Sequence, residues 1–473
     1  MRPLKLVVFS TTSFKEVSHM SIHLTPSIVR RKFLEVLSDM EAHLDKYVRN
    51  PGHDFVRHRQ LPFRDTLLLT MFMKNSSLNG EISDYWSIVH PKARYSTASR
   101  DAVPTRAAFI RQRSKLNDSA FPSLLTQFNR LLGFKKLLKG YHLLACDGSD
   151  LNIAPEPDDA STYISYNSKK GGYHQLHLTV MYDLLEAVYT DAVIQPRTQM
   201  DEQDAFVSMV RRNPVPGKCL FIADRGFDSF NDMATVANAG LFFLFRVKEP
   251  SRDTSAFKHL LVSDAASFET FSDIFLCRTH KRLPNVPPDK QKYIRPDRSF
   301  DLIHPSDKTS AFHLSFRFIK ITLKNGSVEY LVTNLPAKDF KLDDFLDLYH
   351  RRWGIETSFL FLKYGISLAF PHSVKRCFQI QEIYAKLILF NVISRIVSCV
   401  DTPDQEQTHL KYQYRISISD AIRKCRYYLV DPKTPKDTVF IAYLLRDKIP
   451  IRSGKDRPRN MRSQRLHSFQ NRT

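Results

Sequence analysis

The chain predicts a mixed α/β core, flanked by helical regions and interrupted by a β-rich stretch. Three observations carry this. Residues 26–135 show helical periodicity, with Ile28, Phe33, Leu37 and Leu44 recurring along one segment and Leu67 to Met73 opening another. After Gly140 the texture changes to alternation and short apolar runs. From about Lys248 to Ala337 the helical signal lapses under Pro284, Pro287, Pro288, Pro296 and Pro305, and it returns at Asp339.

Within the core, Tyr141 to Cys146 reads as a strand, and His174 to Tyr182 with Ala187 to Ile194 as a hairpin around the Leu184 to Glu186 turn. Asp201 to Arg212 reads as a helix, Cys219 to Ala223 as a buried strand, Ser229 to Ala239 as a helix and Leu241 to Val247 as a strand. Strands followed by alternating helices and strands suit a mixed sheet. In the proline-rich stretch, Phe312 to Leu323 and Ser327 to Thr333 predict a hairpin across Lys324-Asn325-Gly326. One helix is expected from Asp339 to about Lys363, another over Gln379 to Val400, and mostly helix to about Arg446. The divisions are 1–25, an N-terminal extension; 26–135, helical; 140–247 and 338–400, two parts of the core; 248–337, the β-rich insertion; 401–450, helical; and 451–473, a basic disordered tail with seven arginines and lysines against Asp456.

A chain of 473 residues is longer than one core usually grows. With 42% hydrophobic and 12% aromatic residues it can bury substantial cores. Seventy Lys+Arg against 49 Asp+Glu give a net charge of +21 and a pI near 9.6, the footprint of a polyanionic partner, with nucleic acid first among candidates. A membrane partner would call for a basic amphipathic helix or a lipidation signal, and neither is found. The longest apolar stretch, Ile383 to Val400, is broken by Lys386, Asn391 and Arg395, so it reads as a buried helix. Leu4 to Phe9 is too short for a secretory core, and export is not expected. Six scattered cysteines without a Cys-x-x-Cys pair suggest neither a zinc ribbon nor a disulfide framework, and fit a reducing cytoplasm.

Two aspartates follow apolar runs and precede turn-forming residues: Asp147 after Leu143-Leu144-Ala145-Cys146 and before Gly148, and Asp224 after Leu220-Phe221-Ile222-Ala223 and before Arg225-Gly226. A carboxylate at the end of a buried strand is held rigidly at a sheet edge where ligands collect. Taken alone, each equally suits an Asx turn or a helix cap. Tyr349, Arg352, Glu356 and Lys363 then recur at spacings of three, four and seven, which puts all four near one face of a helix. A surface helix would use Arg352 and Glu356 as a simple ion pair. Phe345, Leu348, Trp353, Phe359 and Leu362 instead imply a helix packed down, its polar face bordering a cavity.

Other polar residues read more modestly. Asp228 reads as a helix cap, His174 and His177 as structural or DNA-facing residues, and Glu202 as a first-turn residue complementing the helix dipole. The segment from Pro104 to Leu116 carries Arg106, Arg111 and Arg113, and reads either as a DNA-contacting helix or as a solvated basic one.

Together, Ala145-Cys146-Asp147-Gly148-Ser149, Ile222-Ala223-Asp224-Arg225-Gly226-Phe227, Tyr330 to Leu335 and Tyr349-His350-Arg351-Arg352-Trp353-Gly354-Ile355-Glu356 resemble the insertion sequence four family of DDE transposases, with its Tyr-Arg-Glu-Lys signature. The likeness runs from about His142 to Ile366. It implies a ribonuclease H-like core split by a β-rich insertion; the basic face within 104–116 separately suggests 26–135 as a helical DNA-binding domain. It also implies Asp147, Asp224 and Glu356 as catalytic carboxylates holding two Mg²⁺ ions, for which Mn²⁺ can substitute; oxygen ligands suit that metal. Arg352 would fork onto a phosphate, Lys363 add a point charge and Tyr349 bond a phosphate oxygen, with Arg106, Arg111 and Arg113 as further DNA contacts.

The resemblance further implies cut-and-paste excision and strand transfer on terminal inverted repeats, a homodimer on paired ends, double-stranded repeat and target DNA as partners, and a cytoplasmic, nucleoid-associated location. The alternatives are a ribonuclease H-like nuclease or resolvase and a catalytically dead DNA-binding derivative. Family members also place a tryptophan in the insertion, for base stacking. Here Trp86 and Trp353 are the only two, and Tyr293 and Phe312 are the remaining aromatic candidates.

Overall fold

The computed structural model describes residues 17–18, 24–57, 59–91, 102–156, 159–165, 171–251, 257, 263, 265–323, 326–400 and 412–451. The basic tail beyond 451, most of the N-terminal extension and the tip of the Lys324 to Gly326 turn lie outside these residues.

Five helices come first: α1 (Pro26–Ala42), α2 (Phe63–Phe72), α3 (Leu78–Val89), α4 (Arg106–Arg113) and α5 (Ala120–Leu132). The start of α1 is set by Thr25, whose hydroxyl accepts from the Ile28 amide at 3.4 Å, and by Pro26 in the first turn. Gly133 closes α5 at φ +73°, a conformation that costs glycine nothing.

The core strands are β1 (His142–Ile153), β2 (Tyr163–Ser165), β3 (Gly172–Asp183), β4 (Val188–Pro196), β5 (Cys219–Ala223) and β6 (Phe242–Arg246), with α6 (Glu202–Arg211) and α7 (Phe230–Asn238) between them. The stretch expected as an insertion supplies β7 (Ser267–Cys277), β8 (Gln291–Tyr293), β9 (Ala311–Thr322) and β10 (Val328–Thr333). Among the described residues these strands form one mixed ten-stranded sheet in the order β8-β7-β9-β10-β6-β5-β1-β3-β2, with β4 also on β3. The insertion therefore extends the core sheet, joined where Leu331 to Thr333 pair antiparallel with Leu244 to Arg246.

Side chains alternate between the two faces as a strand requires. Along β1, Ala145, Leu151 and Ile153 enter the core shared with the helices, while Leu144 and Cys146 enter the opposite one with Phe206, Phe221 and Phe245. The helical core is continuous from α1, α2 and α5 to α10 (Arg376–Val397), α11 (Ile418–Val430) and α12 (Asp437–Leu445). Residues 26–132 thus share a core with the segment after the signature.

This packing explains why the Ile383 to Val400 stretch is apolar all round, and each polar residue that breaks it has a partner. Lys386 donates to the carbonyl of Met73 at the end of α2. The Asn391 amide donates to Tyr189 O at 2.7 Å and Asn129 Oδ1 at 3.0 Å, and its oxygen accepts from Tyr189 N at 2.8 Å. Arg395 pairs with buried Glu186 and donates to Gly133 O at 2.8 Å. A buried polar group is tolerated only when so satisfied. No helix among the described residues is long and apolar enough to cross a membrane.

Two sequence expectations change. The strand predicted to stop at Cys146 runs on to Ile153, so Asp147 is mid-strand. The single helix expected through the signature is broken into α8 (Asp344–His350), α9 (Trp353–Leu360) and a π turn over Phe361–Gly365. Between α8 and α9 the amides of Arg352, Gly354 and Ile355 bond three residues back, to Tyr349, Arg351 and Arg352, tightening one turn.

Candidate active site

Register brings the two aspartates together. Parallel β1 and β5 pair as far as Ala145 opposite Ile222, so two residues further on Asp147 and Asp224 leave the pairing side by side. Strand β5 ends at Ala223 while β1 continues alone on that side, leaving Asp147 at an edge although its strand does not end there. Asp224 caps a short turn, accepting from Gly226 N at 2.8 Å, and Asp147 accepts from Gly148 N at 2.9 Å.

From the far side of the sheet edge α9 supplies the third carboxylate. Arg352 lies between: its Nη2 donates to Glu356 Oε1 at 2.6 Å, and its Nη1 is 3.5 Å from Asp147 Oδ2. Burial raises the Asp147 carboxyl to about 7; Arg352 opposes that rise, while the negative charges of Asp224 and Glu356 add to it. Burial works against the Arg352 cation, but Tyr349, Asp147 and Glu356 outweigh it and hold the guanidinium above its ordinary value.

The rest of the signature gathers around this group. Tyr349 is buried, its hydroxyl has no hydrogen-bond partner among the described residues, and burial pushes it up to about 12. Its ring centroid is 5.8 Å from the Arg352 guanidinium. Lys363, displaced by the π turn, donates to Asp150 O at 2.8 Å, and burial lowers its ammonium below the ordinary lysine value. Trp353 also lies under Arg352, at 5.6 Å.

The donor set is all oxygen, the kind Mg²⁺ takes. Among the described residues no three of His, Cys, Asp and Glu are drawn together tightly enough to hold an ion, and Arg352 serves as the counter-ion of Asp147 and Glu356. The negative charge crowding Asp147 nonetheless suits a cation.

The basic helix α4 divides. Arg106 and Arg111 are exposed, but Arg113 is only 1% exposed and is bound to Glu382, Gln381, Ser373 and the Phe378 carbonyl. The expectation of Arg113 as a DNA contact is corrected on that ground: a guanidinium so enclosed offers no donor to a phosphate. Of the insertion aromatics, Tyr293 packs on His280 with ring centroids 3.6 Å apart, and Phe312 lies edge-on to Phe300 at 6.1 Å. Phe271, which the sequence reading passed over, stands 61% exposed on β7 with the Arg317 guanidinium 5.2 Å from its ring.

Glu202, read from the sequence as a first-turn helix residue, and His177, read as structural or DNA-facing, both reach the aspartate edge. A Cβ built on Gly148 would collide with Glu202 Oε1 and His177 Nε2, and one built on Gly226 would lie 3.8 Å from Glu202 Oε2. The signal was present in Gly148, the glycine directly after Asp147. The expectation that Gly148 turns the chain is corrected: it lies within β1, where it leaves room for these side chains.

A family model described as the transposase DDE domain matches residues 138–391, more than half of the chain and the span that contains all three carboxylates. The chain belongs to this DDE transposase family. No curated protein matches it. Among solved structures, this transposase is similar to a piggyBac transposase in a cryo-EM synaptic complex with hairpin DNA, at 12% identity and a TM-score of 0.43, over 90% of this chain and 82% of that one.

Proposed function

We propose that this DDE transposase binds the terminal inverted repeats of its own element and carries out metal-dependent cut-and-paste excision and strand transfer through Asp147, Asp224 and Glu356. The observation that supports the reading is that Arg352 pairs with both Asp147 and Glu356, with Asp224 beside Asp147 at the end of the neighbouring strand, inside the span matched by the family. The core is read as ribonuclease H-like, because β1, β3 and β4 form an antiparallel run and β5 and β6 continue beside β1 in parallel, with α6 and α7 crossing between.

Asp147, Asp224 and Glu356 would hold Mg²⁺ or Mn²⁺, two ions per site. When bound, these activate the attacking oxygen and stabilise the leaving one. The chain's own residues orient the DNA. Arg352 offers a planar fork to a phosphate once its hold on Asp147 and Glu356 loosens. The orphaned Tyr349 hydroxyl gains the partner it lacks by donating to a phosphate oxygen. Lys363 contributes positive charge from the same edge. Exposed Arg106 and Arg111, with the basic tail, supply affinity for the backbone without reading sequence. Two protomers acting on paired ends, double-stranded repeat and target DNA as partners, and a cytoplasmic, nucleoid-associated location belong to the same reading.

Glu356→Gln keeps the Arg352 hydrogen bond and removes one carboxylate charge. It is expected to abolish nicking of a duplex carrying the DNA that flanks the coding region, in Mg²⁺ or Mn²⁺, while leaving duplex binding in place. Unchanged nicking sinks the site assignment. Joining of the cut 3′ end to a target plasmid distinguishes a transposase from a nuclease that only cuts.

A further inference from the structure

We infer that His177 is a positioning residue: as an imidazolium it bridges Asp150 and Glu202, and thereby holds the Glu202 carboxylate between the stretch of β1 that carries Asp147 and the turn that Asp224 begins. The inference rests on the proposed assignment of those aspartates and adds to it a second layer of residues.

The geometry fixes the protonation. His177 is buried on β3; its Nδ1 lies 2.7 Å from Asp150 Oδ1 and its Nε2 2.9 Å from Glu202 Oε1. Carboxylates accept and do not donate, so a ring that hydrogen-bonds two of them carries a proton on both nitrogens. Burial opposes that charge, but hydrogen bonds and charge from Asp150 and Glu202 prevail and hold the group near 9.

Each end of the bridge touches a different part of the site. Asp150 is the cross-strand partner of His177 in the β1–β3 register, and it is also held by Arg197 Nε at 3.1 Å and, through its carbonyl, by Lys363. Glu202 begins α6, whose neighbouring Gln203 donates to the Gly226 carbonyl at 3.1 Å. Its carboxylate faces Gly148 on one side and Gly226 on the other, as described above. One hydrogen-bonded path therefore runs from Lys363 through Asp150 and His177 to Glu202, passing the backbone beside both aspartates. A neutral side chain at 177 would leave Asp150 and Glu202, both half-buried, facing each other with no cation between them, and Glu202 would leave the gap for solvent.

The tests use the full chain on the flanking-DNA duplex, with single-turnover nicking, duplex affinity and melting temperature measured for each variant. His177→Gln and Glu202→Gln are each expected to slow nicking about ten- to a hundredfold, the usual cost of removing a partner that orients site ligands. Duplex affinity and melting temperature stay near wild type, a split that a merely structural role would not produce. The double variant is expected to be no slower than His177→Gln alone, because the two residues act as a unit. Gly148→Ala, which pushes on the same carboxylate without altering charge, slows nicking as well.

Wild-type rates in His177→Gln and Glu202→Gln, or additive losses in the double variant, overturn the inference and leave the transposase reading standing. If His177→Gln does not fold, Glu202→Gln and Gly148→Ala decide, and wild-type rates in both overturn it. A wild-type protein that does not nick the duplex at all overturns both the reading and the inference.

Discussion

Replacing Glu382 with glutamine removes one charge from a site where Arg113 has no other. The Glu382 carboxylate is 4% exposed and accepts from Arg113 Nη1 at 3.0 Å, Ser373 Oγ at 2.6 Å and His372 N at 2.8 Å. Arg113 also donates to Gln381 Oε1 at 3.1 Å, Ser373 Oγ at 3.2 Å and Phe378 O at 2.8 Å, with its guanidinium 4.8 Å from the Phe378 ring. Glutamine keeps the shape but leaves the guanidinium uncompensated, and turns its amide group toward a donor. Removing one member of a buried pair costs about 3–5 kcal/mol. For a chain of 473 residues that is a fall of about 3–5 °C in melting temperature.

The measurement is thermal or urea unfolding, read by fluorescence, of wild type, Glu382→Gln and the double variant Arg113→Met with Glu382→Leu. The double variant is expected to recover most of the loss, because two apolar side chains of similar volume strand no charge. Burial pushes the Glu382 carboxyl up, but Arg113, His372 and the hydrogen bonds outweigh it and hold the group below its ordinary 4.5. A depressed folded value means that its contribution is complete above the unfolded value and is lost as pH falls through the folded one. The gap between wild type and Glu382→Gln should therefore narrow in acid. A gap under about 1 kcal/mol at neutral pH, or one that widens in acid, refutes the reasoning.

Tyr349→Phe removes a buried hydroxyl with no hydrogen-bond partner among the described residues, so melting should be unchanged or slightly raised, while nicking falls roughly tenfold through the lost phosphate bond; a matched loss of stability and rate would argue that the hydroxyl is structural. Asp232 is fully buried with neither carboxylate oxygen hydrogen-bonded among the described residues, and burial first, then Asp201 and Asp301, push it well above the usual range. A raised carboxyl costs stability as pH climbs through its folded value, so Asp232→Asn should raise the melting temperature at pH 7 and do little near pH 4; equal effects at both would exclude ionisation as the cause. Neutralising Arg106 and Arg111 together should flatten the slope of duplex affinity against log salt by about two, whereas Arg113→Gln should unfold the protein more easily without a matching change in slope; the reverse pattern would restore Arg113 as a DNA contact.

What the sequence made legible was local. The apolar runs of β5 and β6, the helices between and after them, and the spacing of Tyr349, Arg352, Glu356 and Lys363 are each written within a dozen or so residues. The burial of Arg113 was not, because its partners Gln381 and Glu382 stand far down the chain, and a basic helix looks the same whether a distant carboxylate covers it or water does. The continuation of β1 was hidden for another reason. Gly148, Ser149 and Asp150 are half-buried polar or small residues at the open edge, so the alternation that marks a strand fades where the strand is most useful. The break between α8 and α9 leaves no trace in periodicity either, since Arg351 and Arg352 keep helical angles and only the hydrogen-bond span shortens, from four residues back to three.

The mid-strand position of Asp147 bears on how such a site is kept rigid. A carboxylate on a loop after a strand is held from one side only. Here β3 continues to pair with β1 past the aspartate, from Asp147 opposite Val180 to Ile153 opposite His174, so the backbone beneath Asp147 is clamped while the β5 side is left open. The open side then needs another support. Helix α6 provides it by sending Glu202 into the space that Gly148 leaves, and His177, on the clamping strand, holds that carboxylate in place. The edge therefore stays accessible to a phosphate while both aspartates remain fixed to the same sheet.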